Sequence, residues 1–144
     1  MRKAQKEETV ARFQGMLEGS RHLIVSDYRG LDVKAMIQLR RAITAAGGEL
    51  RVVKKSLFRH ALGEGESAGL VEYMEGPVAV TFVAGDPDAV LKEMQAFGRT
   101  HPQLEFKGGW VEAELLDGQQ VGELASLPPR QILLAQLLSG LSGP

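Results

Sequence analysis

The chain has 144 residues, 44% of them apolar, which is the length of one ordinary domain with enough hydrophobic side chains to bury a core. It contains no cysteine, so disulfides, cysteine nucleophiles and thiolate-held zinc or iron–sulfur centres are excluded, and the composition fits a reducing cytoplasm. The net charge of −1 hides an asymmetry: residues 1–60 carry 13 Lys/Arg against 6 Asp/Glu, and residues 61–144 carry 4 against 12.

In chain order, the N-terminus starts basic with Arg2, Lys3 and Lys6 but has no apolar stretch behind it, so a signal peptide is not expected, and no later run is long enough to span a membrane. Val10, Phe13, Met16 and Leu17 share one face of a helix over 4–18, which Gly19-Ser20 ends. His22 to Ser26 reads as a strand, followed by the turn Asp27-Tyr28-Arg29-Gly30. Asp32 is an N-cap, with Leu31 and Met36 spaced as a hydrophobic staple, for a helix that stops at Gly47-Gly48. A second strand covers Leu50 to Lys54. Ser56 then caps a short helix from Leu57 to Leu62. A loop over 63–69 and a short helix over 68–75 precede the strand Val78–Val83.

Asp86-Pro87 is a strong helix start, and that helix carries Val90, Leu91, Met94 and Phe97 until His101-Pro102. Leu104 to Lys107 is a fourth strand, Gly108-Gly109 a bend, and Trp110-Val111 is placed to pair again. Asp117 with Gln120 forms a capping box for a helix to Ser126, and Pro128-Pro129 opens a last helix. Strands alternating with helices predict an α/β fold, specifically an α+β sandwich with a mixed sheet of about four strands flanked by helices and a C-terminal helical extension.

Catalytic chemistry finds little support. The glycine-rich stretch from Gly63 to Gly69 imitates a dinucleotide loop but follows a helix rather than a strand, and Glu64 and Glu66 would repel a pyrophosphate. His22, His60 and His101 lack metal-ligand spacing and read as surface or cap residues, and the carboxylates are scattered. No cofactor, metal or enzymatic activity is expected.

The basic half is more informative, because phosphate contacts respond to local rather than net charge. Lys54-Lys55-Ser56 lies where a strand hands over to a helix, with Arg59 one turn on. Free N–H groups and the helix dipole favour an anion there. Arg29 fits a two-pronged phosphate contact and equally a turn ion pair with Asp27 or Asp32. Tyr28 fits base stacking and equally core packing. Arg40 and Arg41 fit solvated helix charges as well as RNA contacts. Ile132, Leu133, Leu134, Leu137, Leu138 and Leu141 make the final helix apolar over more than one stripe, which suits core or a partner-binding element.

Six segments stand in a telling order: Asp27-Tyr28-Arg29-Gly30-Leu31, Leu39-Arg40 ahead of Gly47, Val52-Val53-Lys54-Lys55-Ser56-Leu57, Gly76-Pro77-Val78-Ala79, Lys107-Gly108-Gly109 and Leu124-Ala125-Ser126-Leu127-Pro128. In order and spacing the chain resembles the bacterial ribosomal protein L-ten family over essentially its whole length. That family usually has asparagine and threonine where Lys55 and Ser56 stand here; Ser56 keeps the hydroxyl and Lys55 adds charge.

The resemblance implies a structural constituent of the large ribosomal subunit. Such a protein binds 23S rRNA at the GTPase-associated region, near ribosomal protein L-eleven, and forms the base of the acidic stalk that recruits translation factors. The alternative is a ribosome-assembly factor of the same fold lacking the stalk-binding tail. Together with the charge pattern, the resemblance gives an expected RNA-binding set of Lys3, Lys6, Tyr28, Arg29, Gly30, Arg51, Lys54, Lys55, Ser56 and Arg59. Residues 1–127 are then an rRNA-binding α/β domain, and residues 128–144 the start of a C-terminal helix cut short. Dimers of the acidic stalk protein are expected as partners only where that helix is present.

Overall fold

Two apolar runs, His22–Asp27 and Val78–Val83, lack the polar–apolar alternation of a strand with one wet face, so both need cover on both sides. The computed structural model, which describes residues 3–63, 66–76 and 78–126, puts them in the middle of a sheet and buries all six residues of each.

The elements run α1 (Lys3–Glu18), β1 (His22–Asp27), α2 (Val33–Ala45), β2 (Gly48–Val52), α3 (Lys55–Leu62), a 3-10 helix (Glu66–Tyr73), β3 (Val78–Val83), α4 (Pro87–Thr100), β4 (Glu105–Val111), β5 (Glu114–Asp117) and α5 (Gly118–Ser126). The strand order is β2-β3-β1-β4-β5. On one sheet face α1, α3 and the 3-10 helix bury Phe13, Phe58, Leu70 and Met74 against Leu23, Val25, Val80 and Phe82. On the other, α2, α4 and α5 bury Leu39, Ile43, Leu91, Met94 and Val121 against Ile24, Leu50 and Ala79.

The α+β sandwich agrees with the expectation, but the sheet differs in two respects. Among the described residues it has five strands rather than about four, and every pairing is antiparallel, so it is not mixed. The reason is that β3, which follows both β1 and β2 in sequence, inserts between them and runs against each. The expected last helix beyond Pro128, with Ile132, Leu133, Leu134, Leu137, Leu138 and Leu141, lies outside the described residues.

Three helix starts hold as read. Asp32 Oδ1 accepts the Ala35 N–H at 2.7 Å, and Asp86 Oδ1 accepts that of Asp88 at 2.9 Å. Asp117 and Gln120 bond reciprocally at 2.8 and 2.9 Å, the two halves of a capping box. Ser56 is not a cap: α3 starts at Lys55, two residues before the expected Leu57, its N-cap is Lys54, and no side chain caps it.

Gly108-Gly109 is not a bend. Both glycines lie inside β4, where a Cβ on Gly108 would meet the Tyr73 ring at 2.7 Å and one on Gly109 the Leu23 carbonyl at 3.0 Å. β4 then continues through the two-residue loop Glu112-Ala113 into β5. Both loop residues have positive φ, 55° and 63°, the conformation that hairpin turns usually assign to Asn-Gly. The buried imidazole of His22 secures that loop, its Nδ1 accepting the Glu112 N–H at 3.1 Å.

Because a β-carbon at φ 63° costs about 1 kcal/mol, Ala113→Gly is expected to raise stability by about 0.5–1 kcal/mol. Urea denaturation at unchanged m-value measures it, and a loss of stability would show the loop to be unstrained.

Candidate nucleic-acid interface

Position in the sheet explains how the basic residues meet. β1 and β2 both run against β3, so both leave the sheet at the end where β3 enters, Asp27 opposite Val78 and Val52 opposite Ala79. The Tyr28-Arg29-Gly30 turn and the Val53-Lys54-Lys55 junction therefore open on the same end of the sheet, although β1 and β2 are not neighbours.

At that end α3 begins with an uncapped first turn, whose N–H groups have no intrahelical acceptor. α1 packs along α3 through Phe13, which meets Phe58 edge-on at 5.9 Å. This contact brings the two N-terminal turns together. Lys3, Lys6, Lys54 and Ser56 consequently line one cavity of about 550 Å³, with Glu7, Gln14 and His60 among its other walls. Three lysines against one carboxylate leave the cavity positive, beside N–H groups that favour an anion.

Lys55 and Arg59 are exposed on α3, one helical turn apart. Arg29 is exposed as well. Its backbone N–H donates to Asp27 Oδ1 at 2.7 Å, and its guanidinium lies over Gly76, where a Cβ would stand 2.6 Å from Nη2. Among the described residues, no carboxylate lies within ion-pair distance of Arg29, Lys54 or Lys55. The Asp27 carboxylate instead faces Lys107 Nζ at 4.0 Å, at the β-bulge where β4 slips against β1.

Two residues of the expected set stand apart. Arg51 is on the α1–α3 face of the edge strand, but Glu49 Oε1 accepts from its Nη2 at 2.7 Å and its Nε at 3.0 Å, so its charge is already met. Tyr28 is half-buried and packs with Leu31 and Met36 on the α2 side of the sheet. Glycine at position 30 is required by φ +90° and by Gln103, whose Cγ would sit 3.0 Å from a Cβ there.

Sequence reading missed His60, Gln14 and Lys107. His60 stands one turn after Ser56 on the same helix, which was a usable signal; Lys107 is not part of the cavity and meets Asp27 only through the bulge, which sequence does not announce.

A family model described as "Ribosomal protein L10" matches residues 1–98. The chain belongs to the ribosomal protein L10 family. The large ribosomal subunit protein uL10 of Carboxydothermus hydrogenoformans is 41% identical over 140 residues, covering 97% of this chain and 80% of that protein. The uL10 proteins of Clostridium acetobutylicum and Bacillus cereus (strain B4264) are 37% and 39% identical over 139 residues each, covering 83% and 84% of their lengths. The match to the L10 family model includes every member of the basic cavity. Among the described residues of this L10 family member, no His/Asp/Glu group is disposed to hold a metal, and no helix is long and apolar enough to cross a membrane.

Since Phe13 is the buried link between α1 and α3, Phe13→Ala is expected to lower stability by about 3–4 kcal/mol. Hydrogen exchange should show the loss first in the amides of α1. Unchanged α1 protection would mean that Lys3 and Lys6 are held by something else.

Proposed function

We propose that this chain is a structural, non-catalytic constituent of the large ribosomal subunit, in the cytoplasm, that binds 23S rRNA through its α1–α3 face. The convergence of Lys3, Lys6 and Lys54 on one cavity beside the uncapped start of α3 carries this reading. The names of the uL10 relatives support the placement in the large subunit.

In this reading the cavity takes backbone phosphates. Lysine ammonium groups neutralise them and release condensed counterions, while the α3 N–H groups donate from a fixed direction. Lys55, Ser56 and Arg59 extend the contact along α3, and Arg29 with Gly30 takes a further phosphate at the end of the sheet, where its fork of N–H donors has no competing acid among the described residues. Tyr28 supports that turn from the core side and Arg51 contributes least, its charge being shared with Glu49.

The assignment extends to residues 1–127 as the RNA-binding domain, docked at the GTPase-associated region beside ribosomal protein L-eleven as the base of the acidic stalk. The apolar side chains from Ile132 to Leu141, outside the described residues, are the partner-binding positions, and dimers of the acidic stalk protein are partners only where the C-terminal helix is present.

With an isolated stalk-base rRNA fragment, log affinity should fall linearly with log salt. The Lys6→Ala/Lys54→Ala double variant should bind several-fold more weakly, with a slope shallower by about one to two units. Arg51→Ala should change affinity less than about twofold, because a met surface charge contributes little. Unchanged affinity and slope in the folded double variant would remove this face from RNA binding.

A further inference from the structure

A second feature lies across the sheet from the basic cavity. Among the described residues four large hydrophobic side chains are exposed, and three of them meet in one place: Val33 (77%), Ile37 (47%) and Val52 (49%). They line a groove of about 900 Å³ between α2 and the edge strand β2, floored also by Leu31 and Met36. A helix that buries Ala35, Leu39 and Ile43 on its inner face needs no apolar residues outside. Val33 and Ile37, one turn apart on the outer face, therefore form a second stripe with nothing over it among the described residues.

The chemistry of the groove selects its occupant. Its lining is mostly aliphatic, with Tyr28 and Thr44 beside the apolar side chains, and suits the apolar side chains of a protein segment. Its charged lining is Arg40, Arg41 and Asp32. Asp32 is held at the start of α2 by the Ala35 N–H at 2.7 Å, and the two arginines outnumber it, so the rim carries a net positive charge.

A second copy of the chain fits poorly, because a two-fold contact puts the same patch on both sides, four arginines against two Asp32 carboxylates, and leaves cations unpaired. The chain's own residues 127–144 fit no better. They contain no Asp or Glu, and their one charged side chain is Arg130.

We propose that the α2–β2 groove is a docking site for an acidic amphipathic segment of a partner protein. Its aliphatic side chains seat on Val33, Ile37 and Val52, and its carboxylates pair with Arg40 and Arg41. The groove lies on the α2–α4 face, opposite α1 and α3, so the proposal does not depend on RNA binding.

The test uses the full chain and two labelled synthetic helical peptides. Both carry leucines at i, i+4 and i+7; one has glutamates on the flanks, the other lysines. Fluorescence anisotropy should show binding of the glutamate peptide, weakened by salt, and little or none of the lysine peptide. Ile37→Glu should weaken the glutamate peptide at least about tenfold, and Arg40→Glu/Arg41→Glu should exchange the preference between the two peptides.

All three positions are exposed and circular dichroism checks that the variants fold. No binding of the glutamate peptide, equal binding of both peptides, or indifference to both variants would overturn the proposal. Two further results would also overturn it. A concentration-dependent dimer in sedimentation that Ile37→Glu abolishes would assign the groove to a second copy. Peptide binding that emerges only after removal of residues 128–144 would assign it to the chain's own tail.

Discussion

The two-sided burial of β1 and β3 is the constraint on which the rest of the molecule depends. Ile24, Val25 and Val80 are wholly buried, and successive residues along a strand face opposite sides, so each central strand must be covered by helices above and below. At about 25 cal/mol per Å² of apolar surface, leaving either face of β1 and β3 bare would cost several side chains at about 1.5–3 kcal/mol each. That requirement divides the helices into two layers, α1 and α3 on one side and α2, α4 and α5 on the other. It also fixes which basic residues can meet: Lys3 and Lys6 reach Lys54 because α1 and α3 share a layer, while Arg40 and Arg41 of α2 are held on the far side.

Much of this was legible where a local rule acts alone. The Asp32 and Asp86 caps and the Asp117–Gln120 capping box follow from short-range geometry between a side chain and a backbone N–H, so spacing suffices to find them. The apolar face of α1 was equally plain, with Phe13 buried and Val10, Met16 and Leu17 beside it. The start of α3 misled because Ser56 is a good cap by composition, whereas the helix is positioned by burial of Leu57, Phe58 and Ala61, and begins before the hydroxyl can serve.

The features that escaped are non-local. Gly108 and Gly109 read as a bend until Tyr73 and the Leu23 carbonyl are seen pressed against them; close approach by another element, not chain reversal, requires glycine there. The reversal occurs at Glu112-Ala113, whose residue types carry no hairpin signature, and it is secured from 90 residues away by His22. The antiparallel sheet was hidden for a related reason. Alternating strands and helices suggest parallel crossovers, and nothing local reports that β3 inserts between two earlier strands. The candidate site was legible as charges gathered at the start of α3, but not the wall that α1 adds with Lys3 and Lys6, since that depends on the packing of Phe13 on Phe58.

The basic and acidic halves interleave in the sheet, since β3 lies between β2 and β1, but its two edges come from different halves: β2 from the basic first sixty residues and β4–β5 from the acidic remainder. The acidic edge carries Glu112, Glu114, Asp117 and Glu123 near β5 and α5. Four strand spacings of about 4.8 Å put roughly 19 Å between the edges, which is about twice the Debye length of about 8 Å at physiological ionic strength. Acids at that distance are screened and do not cancel the field at the α1–α3 cavity, whereas Glu7, inside the cavity, does reduce it. A net charge near zero is thus compatible with a polyanion-binding site: the acids of the β5 edge are too far to cancel Lys3, Lys6 and Lys54, and within the cavity three lysines face the single carboxylate of Glu7.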